Sequence, residues 1–78
     1  MTKDYAKEDE EFYRQRAVNY KKEGIPAHIT LKNGWWRRGV ILEITDSYLV
    51  LEEFILGKET IFFNEIYALE PKREQVRP

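Results

Sequence analysis

The segment Trp35-Trp36-Arg37-Arg38 contains the residue types best suited to binding chemistry in this chain. Indole rings stack on nucleobases and on cations, and guanidinium groups hold phosphates. Two tryptophans and two arginines in four residues could therefore bind a single-stranded nucleic acid. Two other interpretations remain open. One tryptophan could cover the core while both arginines stay solvated, or an exposed tryptophan could form a protein-docking patch.

Residues for catalysis or metal binding are scarce. His28 is the only histidine, and the chain has no cysteine. One histidine without cysteine partners makes neither a metal site nor a catalytic base. No Ser-His-Asp set and no phosphate-binding loop is found in the sequence. We therefore expect no enzyme activity, no metal and no cofactor.

Length and charge limit the remaining choices. The chain has 78 residues and a formal net charge of -1, so we expect one domain, 1–78, and no global field that attracts nucleic acid. A core of this size is marginal, and a partner subunit would add burial. No apolar run approaches the ~20 residues of a membrane span, and the N-terminus lacks the apolar region of a secretory signal. A cytoplasmic protein without a membrane partner is expected.

The elements that must position these residues begin with a helix at 4–23. Acidic residues stand near its start and basic residues near its end, which complements the helix dipole. An aromatic stripe on this helix predicts a face that docks on a sheet, and an aromatic ligand site is the less favoured interpretation. The stripe comprises Phe12, Tyr13, Arg16, Ala17 and Tyr20. Gly24 and Pro26 end the helix.

Five short strands are predicted after the helix, at 27–32, 35–45, 48–51, 60–63 and 66–69. Asn33-Gly34 predicts a two-residue type I′ hairpin with positive φ at both residues. Gly39, inside the second strand, predicts a bulge, a bend or a close backbone approach. Turns are expected at 46–47 and 56–58, and the tail 72–78 is expected to be flexible.

Local connections between these strands predict a mostly β fold, in which the helix precedes a strongly bent five-stranded antiparallel small barrel at 26–71. Such a barrel is partly open, and the segments 61–63 and 66–69 would lie on its apolar edges. Unprotected apolar edges pair with other chains, and head-to-tail pairing can close into a ring.

The motif Ile25-Pro26-x-x-Ile29-x-Leu31-x-Asn33-Gly34-x4-Gly39 is followed by Asp46-x-Tyr48 and by the run 66–71. This pattern resembles the Sm-like (SH3-like barrel) family, and most of all its Hfq-type branch. Asp46 stands one residue further from Gly39 than in the family pattern, which a bulge would accommodate. The resemblance implies a ring of six or seven copies that binds single-stranded RNA.

The resemblance also assigns site residues. Tyr48 matches an aromatic on which uracil stacks, although a strand tyrosine filling the barrel rim is an equal alternative. Ser47 matches a polar base contact. Asn64 could hydrogen-bond a base edge, whereas Phe63 could stack on a base or lie in the core. Lys21 and Lys22 match a basic rim, though the helix dipole alone also favours lysines there. On the opposite face the candidates are Trp36, Arg37 and Arg38.

Two positions depart from the Hfq pattern. Glu65 stands where the family places a cation before the last strand, and Thr30 stands where Hfq has a stacking tyrosine. Both changes would weaken RNA binding. The rival hypothesis is therefore a ring of the same fold that serves as a protein-interaction scaffold and has largely lost RNA binding.

Overall fold

The described chain consists of one helix followed by five strands. The computed structural model describes residues 2–72, with side chains from residue 10 onward. In chain order the elements are α1 (Thr2–Glu23), β1 (Ala27–Leu31), β2 (Trp36–Ile44), β3 (Tyr48–Glu53), β4 (Gly57–Phe62), a short 3-10 helix (Phe63–Glu65) and β5 (Ile66–Pro71). The predicted flexible tail, apart from Lys72, lies outside the described residues.

Helix α1 ends at the predicted glycine. Gly24 has a φ of 69°, and the N–H groups of Gly24 and Ile25 donate to the carbonyls of Lys21 and Tyr20. These two bonds form a Schellman motif, which satisfies the last carbonyls of the helix. Ala17 and Tyr20 are buried against the sheet. Phe12 belongs to the predicted stripe but is exposed, so the docking face is narrower than expected.

The predicted type I′ hairpin turn is wrong. No residue other than glycine has positive φ among the described residues, so Asn33 cannot occupy a type I′ position. The N–H of Gly34 donates to the Leu31 carbonyl at 2.9 Å, and Gly34 has a φ of 95°. The connection is therefore a three-residue loop with a left-handed glycine at its end. Asn33 accepts a hydrogen bond from the Trp35 N–H through Oδ1 at 2.9 Å, which stabilises the loop.

Gly39 marks a close approach of two backbones. A Cβ placed there would lie 2.1 Å from the Glu52 carbonyl oxygen in β3, so only glycine fits. The bulge lies further along β2, where the pairing shifts from Ile41–Leu51 to Glu43–Val50. This irregularity falls between Gly39 and Asp46, where the sequence has its additional residue.

The sheet is antiparallel, with the strand order β4-β3-β2-β1-β5. The first four strands form the predicted meander, whereas β5 crosses back to pair with β1. The predicted edges are confirmed, because β4 and β5 are the outer strands. The core lies between the sheet and α1 and includes Ile29, Leu49, Leu51, Phe63, Ile66 and Leu69. The turn expected at 56–58 lies earlier, at 54–56, and Gly57 begins β4.

A buried carboxylate holds this turn, which we call the 54–56 tip. Glu53 Oε1 accepts the N–H groups of Ile55 at 2.8 Å and Leu56 at 2.6 Å. The N–H groups of Leu56 and Ile55 hold the pKa of the Glu53 carboxyl below its usual value. The Glu53 carboxylate thus holds the backbone of the tip in place, while the three large apolar side chains of the tip remain exposed.

Stability should depend on pH through Glu53. Because its folded pKa lies below the ordinary value of 4.5, its contribution is complete above pH 4.5 and is lost as the pH falls through the folded pKa. We expect the stability difference between the wild type and Glu53→Gln to shrink between pH 6 and pH 3, since a protonated glutamate resembles glutamine. Urea unfolding at each pH measures this difference. A difference that stays constant over this range would contradict the role of the ionised carboxylate.

Candidate nucleic-acid interface

An exposed aromatic cluster lies where β2 begins. His28 pairs with Arg38, and Thr30 pairs with Trp36, across β1 and β2. Because side chains alternate along a strand, all four lie on one face. The His28 and Trp36 rings stack with centroids 5.5 Å apart, and Arg38 Cζ lies 4.6 Å from the Trp36 ring centroid. We call His28, Trp36 and Arg38 the Trp36 cluster. It combines a stacking surface with a cation.

The two tryptophans and the two arginines have different environments. Trp35 is 66% exposed and Trp36 is 47% exposed, so neither covers the core. Arg37 lies on the face of β2 opposite to Trp36 and Arg38 and is half-buried. Its Nε pairs with the Glu59 carboxylate of β4 at 3.4 Å. Its Nη1 also donates to the Trp36 carbonyl. Arg37 therefore acts first as a tie between strands, and Arg38 is the cation of the exposed surface.

A second aromatic cluster forms where β3 begins. Tyr48 pairs with Phe62 of β4, and their rings meet edge to face with centroids 5.5 Å apart. Tyr48 is half-buried, whereas Phe62 is 44% exposed. Sequence reasoning missed Phe62. Ile61, Phe62 and Phe63 are all apolar, so the sequence held no alternation that could have separated Phe62 from the core.

The segment after β4 completes this second cluster. Phe63 is 2% exposed, so it occupies the core, the second of its two expected roles, and its ring cannot reach a base. The Ser47 carbonyl accepts the Phe63 N–H at 2.9 Å, which places Ser47 beside the 3-10 helix. Asn64 is exposed on that helix. We call Ser47, Tyr48, Phe62 and Asn64 the Tyr48 cluster.

The Glu65 carboxylate lies close to the Tyr48 cluster. Its Oε1 accepts the Phe62 N–H at 3.3 Å, so the carboxylate is turned back towards the start of the 3-10 helix. Its backbone carbonyl accepts the Lys32 N–H, which links this segment to the β1–β2 loop. The carboxylate thus has a local structural role, although the residue remains exposed.

Two lysines form the basic end of α1. Lys21 and Lys22 are exposed in the last helical turn and line a shallow depression with Val18 and Ile44. Cations at this position also complement the helix dipole. The geometry is therefore compatible with both expected roles, a rim contact and a dipole partner.

The two clusters lie at opposite ends of the β2–β3 pair. Gly39 pairs with Glu53 near the Trp36 cluster, whereas Ile44 pairs with Leu49 near the Tyr48 cluster. Within residues 10–72, whose side chains the structure describes, no group of three or more His, Cys, Asp or Glu residues could hold a metal ion. No helix within residues 2–72 has both the length and the apolar character of a membrane span.

Comparison with known proteins identifies the fold. No family model and no curated protein sequence matches the chain. Among the matching solved structures is a 1.55 Å crystal structure of the pleiotropic translational regulator Hfq. The two chains superpose with a TM-score of 0.66 at 19% sequence identity, over 74% of this chain and 95% of the Hfq chain. The helix, the open antiparallel five-stranded sheet and this similarity together show that the chain has an Sm-like, Hfq-type fold.

Proposed function

We propose that this chain is a single Sm-like domain that assembles into a ring of six or seven copies and binds single-stranded RNA without catalysis. The cytoplasm is the expected compartment. The Hfq-type fold supports this proposal, and the role in RNA metabolism or regulation follows from that fold by analogy. RNA would contact the Trp36 cluster on one face, the Tyr48 cluster on the other, and the rim at Lys21 and Lys22.

The ring is supported by the two free edges of the sheet. Strands β4 and β5 lack neighbours on their outer sides within the described chain. Phe62 on β4 and Tyr67 on β5 are both exposed. An uncovered apolar edge is stabilised when it pairs with another strand. Pairing of β4 in one copy with β5 in the next would satisfy both edges, and repeated rotation would close the assembly.

The RNA proposal rests on one observation, the exposed Trp36 ring, whose centroid lies 5.5 Å from that of His28 and 4.6 Å from Arg38 Cζ. Thr30, which stands where Hfq has its stacking tyrosine, lies directly opposite Trp36 on the neighbouring strand. Trp36 can therefore provide the stacking surface that Thr30 lacks, and Arg38 can hold the phosphate. Stacking of one base on an aromatic side chain is worth about 1–3 kcal/mol.

Fluorescence anisotropy with labelled oligo-U, oligo-A and a mixed RNA, at low and moderate salt, tests this proposal. Micromolar or tighter binding that weakens steeply with salt is expected, because phosphate contacts release counterions. Failure of all three RNAs to bind at low salt would refute it. Native mass spectrometry tests the ring separately, and a monomer that persists at all concentrations would contradict edge pairing.

Trp36→Ala should weaken RNA binding by about 10-fold or more, since the base that stacks on Trp36 in each subunit loses its stacking surface. The matched control is Trp35→Ala, which removes a neighbouring exposed indole that does not belong to the Trp36 cluster. The same anisotropy titration measures both variants. Equal losses in the two variants would show that the Trp36 cluster has no special role.

A protein-interaction scaffold is the second candidate function. The observation that favours it is the exposed carboxylate of Glu65 beside the Tyr48 cluster, which would repel phosphate at each subunit of a ring. In that case the ring forms, but none of the three RNAs binds. The titration and the mass measurement together separate the two candidates.

A further inference from the structure

We propose that the 54–56 tip is a contact between two copies of the assembly, so that two rings stack through the faces that carry Trp36. This inference rests on the ring proposed above and adds a regulation of its RNA site. Stacking would cover the Trp36 cluster, so RNA on that face and the stacked form exclude each other.

The tip is built to present apolar side chains. Phe54, Ile55 and Leu56 are all exposed, and Ile55 is 87% exposed. Glu53 fixes their backbone by accepting two N–H groups, so little conformational entropy is lost when the tip is covered. A contiguous patch of exposed apolar side chains is typical of a protein-contact site.

The tip and the Trp36 cluster form one continuous surface. The Phe54 N–H donates to the Arg38 carbonyl at 3.1 Å, and Arg38 lies over Trp36. The Phe54 ring also has a cation near it, because Lys72 Nζ lies 5.7 Å from the ring centroid. Ile55 and Leu56 have no aromatic face on which a base could stack, so RNA would leave much of this surface uncovered.

In a closed ring, the tip and the Trp36 cluster would lie on a face of the ring and not between neighbouring subunits. Neighbouring copies would meet along the β4 and β5 edges, which leaves the ends of the strands on the two faces of the ring. The tip joins the end of β3 to the start of β4, and the Trp36 cluster lies at the start of β2. Because Gly39 pairs with Glu53, both lie at the same end of the sheet and hence on the same ring face.

The exposed area favours an assembly over a single pair of chains. Trp35, Trp36 and the three tip residues each expose roughly 100 Å², or on the order of 500 Å² per subunit. A stable contact needs about 800 Å² from each partner. Two single chains fall short of this area. Six or seven copies acting together offer on the order of 3,000 Å² per ring face, which exceeds it.

The charges favour a second copy over an anionic partner. Glu52 and Lys58 pair in register beside the tip, and Glu70 lies opposite His28. Acidic and basic groups are thus interspersed around the apolar centre. Such a surface is self-complementary across a two-fold axis, whereas an anionic lipid surface would meet the carboxylates. The net charge of -1 per chain adds little repulsion between copies.

Native mass spectrometry and sedimentation velocity of the full chain over a concentration series test the stacking. We expect the mass of one ring at low concentration and twice that mass at high concentration. The double variant Ile55→Ser/Leu56→Ser should require at least about tenfold more protein to reach the doubled mass. Phe12→Ser removes an exposed aromatic on α1 and should behave like the wild type.

The possible masses separate the two proposals. A ring that never doubles overturns the stacking and leaves the proposed ring intact. A dimer that the tip variant abolishes overturns both the ring and the stacking of rings, because two single chains would then suffice for the contact. Two results would overturn the assignment of the contact to the tip. One is that Phe12→Ser reduces the doubling as much as the tip variant does, and the other is that the tip variant leaves the doubling unchanged. Circular dichroism checks that the tip variant is folded. We expect a native spectrum, because the variant keeps Glu53 and the backbone N–H groups of residues 55 and 56 that Glu53 accepts.

Competition between RNA and stacking is tested on protein at the doubled mass. The oligonucleotide that gave the tightest binding in the anisotropy titration is added to it. A shift from doubled to single mass is expected for the wild type. RNA that binds while the doubled mass persists would overturn the mutual exclusion. If no RNA binds, the proposed RNA function fails, while the doubled mass without RNA still supports the tip contact.

Discussion

Gly39→Ala should destabilise this chain by about 3 kcal/mol or more, because a Cβ at residue 39 would lie 2.1 Å from the Glu52 carbonyl oxygen. The atom in the way belongs to the backbone, so relief requires β2 and β3 to separate at a point where they pair. A chain of this length has a total stability of about 4–12 kcal/mol. The substitution is therefore expected to remove a quarter or more of it, and to unfold a marginal monomer.

Urea unfolding, followed by far-ultraviolet circular dichroism, measures this loss. Gly57→Ala is the matched control: Gly57 has a φ of 88°, and a Cβ added there would meet no atom within 4 Å. The control should lose only about 1 kcal/mol, from the left-handed backbone that alanine disfavours. Equal losses at Gly39 and Gly57 would show that β2 and β3 do not approach closely at Gly39.

Phe63→Ala should cost about 3–5 kcal/mol, because it removes a fully buried ring and leaves a cavity in the core. Phe62→Ala, one residue earlier, removes an exposed ring whose partner is Tyr48 and should cost about 1 kcal/mol. The two variants have the same composition and differ in whether the lost ring is the exposed one at the end of β4 or the buried one at the start of the 3-10 helix.

Thermal and urea unfolding of the two variants measure this contrast. If the proposed RNA site is correct, Phe62→Ala should in addition weaken oligo-U binding, because Phe62 supports the Tyr48 ring. Similar stabilities for the two variants would place Phe63 outside the core. A folded Phe63→Ala variant with normal stability and lost oligo-U binding would return Phe63 to the RNA contacts.

Local signals in the sequence were sufficient to predict the helix and the approximate positions of the five strands. The charge pattern and Gly24 identified α1, and alternation identified β1, because helix ends and strand faces depend on neighbouring residues. The two apolar edge strands could also be predicted. The Hfq-type fold was expected from a resemblance that the Asn33-Gly34-x4-Gly39 spacing carried together with Asp46-x-Tyr48 and the run 66–71.

Features that depend on residues far apart in the chain were decided only by the tertiary structure. The pairing of β5 with β1 brings Leu69 beside Ile29, and the tie between Arg37 and Glu59 spans 22 residues. No local pattern specifies such contacts, because their free energy depends on the whole packed sheet.

The candidate site shows the same division at the level of single residues. The sequence by itself determined which aromatic and basic side chains were available, but left open whether Phe63 faced the core or a ligand. The register of β3 and β4 decided this, burying Phe63 and exposing Phe62 beside Tyr48. A shift of one residue would exchange the two faces, and only long-range packing selects the register.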